Sequence, residues 1–247
     1  MEIFKFTDHR PFPIQNRRWI MRQSWRNVSF MHWPVSPNLL RPSIPDVLEI
    51  DTFHDHAWVS VVIFQMEHIY LRGMPFFSLT PAFSEINLRT YVTYKGIPGI
   101  YFLSIDVDHW ASYIIAKKWY RLPYKPANIS NEQAGETYHY ESIRRTQTHV
   151  KAEGQITPIA DIYFTEKESL DYWLMERYRL YSGHDSKLYK GDIHHPQWPL
   201  QKAETQIYKN AHIAELDIGL NEYAPAVAHF SKEMDTVFWQ VRKCGTF

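Results

Sequence analysis

Residues 84–92, Ser-Glu-Ile-Asn-Leu-Arg-Thr-Tyr-Val, alternate so that an extended backbone places Glu85, Asn87, Arg89 and Tyr91 on one face and Ile86, Leu88 and Val92 on the other. If the aliphatic side meets a core, the polar row faces either water or an enclosed cavity. On an exposed strand a Glu–Arg pair has little energetic consequence. In a cavity, a carboxylate, an amide and a guanidinium in line suit a small polar acid. Glu85 is then the acid/base candidate, its pKa raised by burial unless Arg89 pairs with it. Asn87 and Arg89 are ligand-binding candidates.

Other clusters carry less. His54-Asp55-His56 with Asp51 sets two imidazoles on one side of an extended chain, but the segment precedes a strand as a polar turn and no third ligand is fixed by spacing, so no metal is expected. His194-His195 precedes Pro196, Trp198 and Pro199; His195 is a ligand-binding candidate, in competition with a structural role in which the ring donates to a backbone carbonyl. Lys117-Lys118 lies mid-helix, where a solvated face explains it. No P-loop, Gly-rich βα fingerprint or nucleophile elbow is present, and no cofactor is expected.

The elements that must hold these residues are mostly strands. Of 247 residues 45% are hydrophobic and 22% charged, a globular composition. Lys plus Arg (27) balances Asp plus Glu (27), so no basic field exists to collect nucleic acid or an acidic membrane, and the expected partner is a small molecule. No linker or repeat divides the chain, which is expected to form a single domain over 1–247. One cysteine, Cys244, leaves no internal disulfide, and neither a signal-type apolar run nor an 18-residue apolar span occurs; a soluble, cytoplasmic protein is expected. Exposed strand edges and surface aromatics suit a homo-oligomer without fixing its stoichiometry.

Strands are expected at 28–35, 57–66, 88–94, 99–107, 138–146, 159–164, 188–192, 201–208 and 236–242, with a loop of several residues at 95–99 and a polar surface loop at 128–136. The continuous apolar run 58–64 predicts burial on both faces. Helices are expected at 36–41, 108–120 and 166–181, the last capped by Thr165 with Glu168 three residues on. Many strands and few helices argue a mainly antiparallel α+β fold.

Further motifs carry a resemblance. Arg22-Gln23-Ser24-Trp25, Phe30 to Val35, Leu48 to Phe53, Ala57-Trp58-Val59, Glu85 to Val92, Gly99 to Ser104, Leu122-Pro123-Tyr124 and Ile193 to Leu200, in this order, resemble the uncharacterised YqjF-like family (domain of unknown function 2071) over roughly residues 18–240. That family is in turn similar to acetoacetate decarboxylase, which implies a curved antiparallel β-cone with a few flanking helices and an interior pocket. The resemblance sets Arg26 at the decarboxylase's pocket arginine and Glu85 at its pocket glutamate, with Val62 or a neighbour in place of a second glutamate. Decarboxylation there needs a lysine, its pKa lowered by a second cation, to form a Schiff base. In the matching stretch Tyr124 takes the nucleophile's place and Lys125 stands alone. The resemblance therefore implies a cone that binds an organic acid, with Tyr124 donating to a developing oxyanion and Lys125 the remaining imine candidate. Enolisation and hydration or dehydration without a Schiff base are compatible chemistries; the alternative is a non-catalytic ligand-binding or stress-related protein on the same fold.

Overall fold

The computed structural model describes residues 2–74, 78–109, 122–221 and 223–247. Its strands are β1 (Met21–Val35), β2 (Glu49–Ile50), β3 (Ala57–Leu71), β4 (Phe83–Tyr94), β5 (Ile97–Val107), β6 (Tyr124–Ala134), β7 (Thr137–Arg144), β8 (Lys151–Pro158), β9 (Arg179–His184), β10 (Lys187–His194), β11 (Gln201–Asn210), β12 (Val227–Phe238) and β13 (Arg242–Thr246). Helices among the described residues are short: α1 (Pro37–Leu40), α2 (Leu170–Met175) and α3 (Ala211–Ala214).

The strands form one 13-stranded sheet in which β4 also pairs with β5, and β10 with β12. Those two extra pairings close seven strands into a ring, β5-β4-β3-β1-β12-β10-β9, completed by the parallel β5–β9 contact. A meander, β6-β7-β8-β11, leaves β5 in parallel register and returns to β12. It lies on the outer face of β1, β3 and β4, where Tyr140, Ala152 and Ile207 share a core with Met31, Val61, Ile63, Ile86 and Leu88. The inner face carries a separate core that includes Phe30, Val62, Phe64, Ile105, Leu180 and Trp198. The predicted two-face burial of β3 follows from this double packing: nearly all of residues 57–64 are shielded on both sides.

Several local expectations are corrected. The β4–β5 connection is a two-residue turn, Lys95-Gly96, with both residues at positive φ (52° and 71°), the geometry that matches strand twist. Residues 128–134 belong to β6 instead of a loop. The stretch 159–164 keeps a single bridge, Tyr163 to Leu200. The expected helix 166–181 shrinks to α2, capped by Ser169, whose hydroxyl accepts from the Tyr172 N–H (3.1 Å); Glu168 sits at φ 70° and cannot be helical. From Arg179 the chain is a strand, because the gap between β5 and β10 offers it backbone partners that outweigh helix propensity. The expected helix 108–120 lies outside the described residues apart from its first two positions.

The junction between ring and meander is fixed by a buried ion network. Arg144 Nε donates to both Asp106 oxygens (2.9 and 3.0 Å), one terminal nitrogen donates to Glu215 (2.7 Å) and the other to Ser104 Oγ (3.2 Å). His212 Nε2 meets Asp106 Oδ2 at 2.9 Å. These bonds tie β5, β7 and α3 together where β5 pairs with β6, and so fix Tyr124 beside Ile105. Replacing Arg144 with Met leaves Asp106 buried without its main counter-charge, and chemical denaturation should show a loss of about 3–5 kcal/mol. An unchanged unfolding midpoint would contradict this role for the network.

Candidate functional site

Inside the seven-stranded ring is a cavity of about 380 Å³, within the range of small-molecule sites. Most of its wall is apolar, supplied by residues such as Trp25, Phe30, Phe64, Phe83, Phe102 and Trp198. Glu85, Asn87 and Arg89 enter it in a row from β4, as period two requires, opposite Val62 and Phe64 on β3. Tyr91, next in the predicted row, lies past the cavity wall against Trp173.

Glu85 is 4% exposed. Its Oε1 accepts from Asn87 Nδ2 (3.1 Å) and its Oε2 from the Tyr124 hydroxyl (3.4 Å), which reaches over from β6. Burial raises the carboxyl from 4.5 to about 7, against the opposing pull of these two bonds. No ion pair joins Glu85 to Arg89 among the described residues, so the carboxyl has no cation to hold its charge. Asn87 Oδ1 and Arg89 Nε are buried without a partner among the described residues, and Arg89 lies over the Phe30 ring at 5.6 Å. Two further arginines, Arg177 and Arg179, line the wall, each already neutralised: Arg177 by Asp51 (2.6 Å) and Arg179 by Asp192 (2.6 Å). Arg89 is therefore the cavity arginine without a carboxylate partner among the described residues.

His195 also lines the cavity, its ring tilted against those of Tyr178 (4.6 Å between centroids) and Trp198 (5.0 Å). Its Nδ1 lies 2.6 Å from the Pro196 carbonyl, an acceptor, so Nδ1 carries the hydrogen. Burial drives the ring's pKa well below its ordinary value, which leaves a neutral imidazole with a lone pair on Nε2. Behind it Glu176, raised by burial to about 7, accepts from the Tyr178 hydroxyl.

Two sequence candidates fall elsewhere. Arg26 points away from the cavity to Glu67 (3.4 Å) and Glu233. The cause is a β-bulge: Asn27 takes φ 51° and the β1–β3 register shifts between Arg26 and Ser29. Inward residues are Gln23 and Trp25 before the bulge, Val28 and Phe30 after it. Lys125 alternates with Tyr124 on β6 and is not in the cavity wall. Lys117-Lys118 lies outside the described residues, and among those described no lysine lines the cavity. Asp51 is committed to Arg177, His54 and Asp55 form a turn at positive φ, and no cluster of three metal-ligating side chains occurs among the described residues. Nor is any described helix long and apolar enough to cross a membrane. Sequence reading missed Arg177 and Arg179, which the expected helix had absorbed; the β-prone run Tyr178 to Tyr181 was the available signal.

The elevated Glu85 pKa has a stability consequence of definite sign. Below pH 4.5 the carboxyl is protonated in both folded and unfolded chains; between 4.5 and about 7 the folded chain keeps a proton that the unfolded chain loses. Wild-type stability relative to Glu85→Gln should thus fall as pH rises through that window, by on the order of 3 kcal/mol, and level off above it. Urea unfolding of both proteins at pH 5 and pH 8 measures the difference; parallel behaviour would contradict a buried, proton-holding Glu85.

Comparison with known proteins fits this architecture. The model of a family described as uncharacterized conserved proteins, domain of unknown function 2071, matches residues 22–235. The uncharacterized protein YqjF of Bacillus subtilis (strain 168) is 44% identical over 225 residues, 91% of this chain and 93% of that protein. Among solved structures, acetoacetate decarboxylase from Legionella pneumophila superposes with a TM-score of 0.64 at 14% identity, covering 100% of this chain and 95% of that one. The enduracididine biosynthesis enzyme MppR, complexed with the condensation product of pyruvate and imidazole 4-carboxaldehyde, superposes with a TM-score of 0.61 at 12% identity, covering 92% and 89%. At these identities the likeness establishes the fold, which is acetoacetate decarboxylase-like.

Proposed function

The chain belongs to the uncharacterised family of domain of unknown function 2071, and from that premise we propose that it binds a small organic acid or carbonyl compound inside the ring and acts on it by proton transfer through Glu85. The observation that carries this reading is the pairing, in one cavity, of a carboxyl raised to about 7 with an arginine that has no carboxylate partner among the described residues.

Arg89 anchors the carboxylate by a charge-assisted bond. Glu85, whose pKa gives useful amounts of acid and base near neutral pH, takes a proton from carbon next to a carbonyl. As that C–H bond breaks, its electrons form the enol double bond and the carbonyl electrons move to oxygen, to which the Tyr124 hydroxyl transfers the hydrogen bond it had given the Glu85 carboxylate, now protonated. Return of the proton to oxygen or carbon completes an enolisation that needs no co-reactant. Dehydration of a 3-hydroxy acid uses the same parts: Glu85 takes the proton from the carbon next to the carboxylate, the C–H electrons form the carbon–carbon double bond as the C–O bond breaks, and Glu85 passes that proton to the departing hydroxyl, which leaves as water. An imine route is not supported, because Lys125 faces away from the cavity wall. One observation favours a second reading, a binder without turnover: no lysine lines the cavity among the described residues. A relative of this fold is complexed with the condensation product of an oxo acid, which is in keeping with an acid ligand here.

Thermal unfolding against a panel of carboxylates and carbonyl compounds should identify a stabilising acid, and its α-hydrogens should exchange with deuterated water in the presence of the protein. Glu85→Gln should keep the binding and slow the exchange at least 100-fold. Arg89→Gln should weaken binding roughly 10- to 100-fold, the value of a hydrogen bond to a charged group. A bound acid that shows neither exchange nor other turnover would establish the binder; exchange undiminished in Glu85→Gln would remove the assigned role.

A further inference from the structure

The cavity has a polar end and an apolar end, and β4 gives their order. Arg89, Asn87 and Glu85 are followed toward the start of the strand by Phe83, paired with Met66, and beyond them the wall is mostly apolar, Ile69, Leu71 and Leu79 with Gln23 and Thr80 among them. Leu79 is 44% exposed, so this apolar end reaches the protein surface. From Arg89 to Phe83 the strand advances by about 20 Å, far more than a two- to four-carbon oxo acid spans. Such a ligand would leave most of the apolar wall in contact with water.

The polar end also specifies complementary groups. Among the described residues Arg89 Nε is a buried donor without an acceptor, and Asn87 Oδ1, on a residue 3% exposed, is a buried acceptor without a donor. Each unmet group costs free energy until a ligand supplies its complement. A carboxylate meets the first and a hydroxyl, or the enol of an oxo group, meets the second. On the reading of this cavity as an acid site, we propose that its ligand is an amphipathic hydroxy or oxo carboxylic acid whose apolar body, of about six carbons or more, extends from Arg89 along β4 past Glu85 toward Phe83 and Leu79.

The test is a calorimetric series of 3-hydroxyalkanoates from four to ten carbons, with pyruvate and the 1-alkanols of matching length. Affinity should rise roughly fourfold per methylene, about 200-fold between the four- and eight-carbon acids, as each methylene leaves water. Each acid should bind at least tenfold more tightly than its alcohol, and Arg89→Gln should erase that preference while keeping the dependence on length. Tight binding of pyruvate or 3-hydroxybutyrate with no gain on lengthening would overturn the amphipathic ligand and leave the small-acid reading intact. Binding of no acid at any length would overturn both. Alcohols binding as well as acids to the wild-type protein would overturn the carboxylate anchor. The wild-type series decides among these outcomes even if Arg89→Gln does not fold.

Discussion

A strand buried on both faces has nowhere to put charge, and β4 is such a strand. Its outer side, Ile86, Leu88 and Val92, is sealed by the meander's core; its inner side carries Glu85, Asn87 and Arg89 into a mostly apolar ring. Burial of ionised groups costs several kcal/mol each unless they are paired, and every ionisable group on this wall reflects that cost in a different way. Arg177 and Arg179 are paired with Asp51 and Asp192. His195 stays neutral and spends its hydrogen on a backbone carbonyl. Glu85 keeps its proton toward neutral pH. Arg89 has none of these remedies among the described residues beyond the face of Phe30, and it is the group for which an anionic ligand brings the largest gain.

The ring makes this arrangement possible. Closure through β4–β5, β10–β12 and β5–β9 leaves no free edge around the cavity and holds side chains from seven strands at fixed positions. Tyr124 illustrates the precision involved. It enters the site from β6, beyond the ring, and its reach to Glu85 depends on the short parallel register of Ile105 with Tyr124, which the buried Asp106–Arg144–His212 network secures. The same β5 residues that anchor the meander thus set the distance between the phenol and the carboxyl.

Much of this was legible in the sequence because period two is a strong constraint. The alternation in 84–92 identified both faces of β4, and the unbroken apolar run of β3 identified a strand without a wet side. What failed was whatever required knowing a neighbour. Arg26 has the parity of Val28 and Phe30, yet the bulge at Asn27 reverses the parity between them, and nothing in single-sequence alternation announces a bulge. Leu170, Trp173, Leu174, Tyr178 and Tyr181 satisfy helical spacing, but the last two sit beyond the end of α2, where the chain extends because β5 and β10 leave a slot for β9. That error hid Arg177 and Arg179. The family resemblance supplied the fold, and the departure it exposed, Tyr124 where a lysine would stand, is consistent with a cavity in which the described residues offer a proton donor and acceptor in place of an amine.

The central claim is that Glu85 is a carboxylic acid held near neutrality by its enclosure, and direct titration tests it best. Carbon-13 NMR of protein labelled at the glutamate carboxyl carbons, with Glu85→Gln to assign the resonance, reads the pKa of that one group. A midpoint near 7 is expected in the intact protein, displaced downward in Phe83→Ser, where the smaller side chain admits water to the carboxyl. A midpoint near 4.5 in the intact protein would contradict the account, because it would show a solvated or ion-paired carboxylate in place of a buried acid.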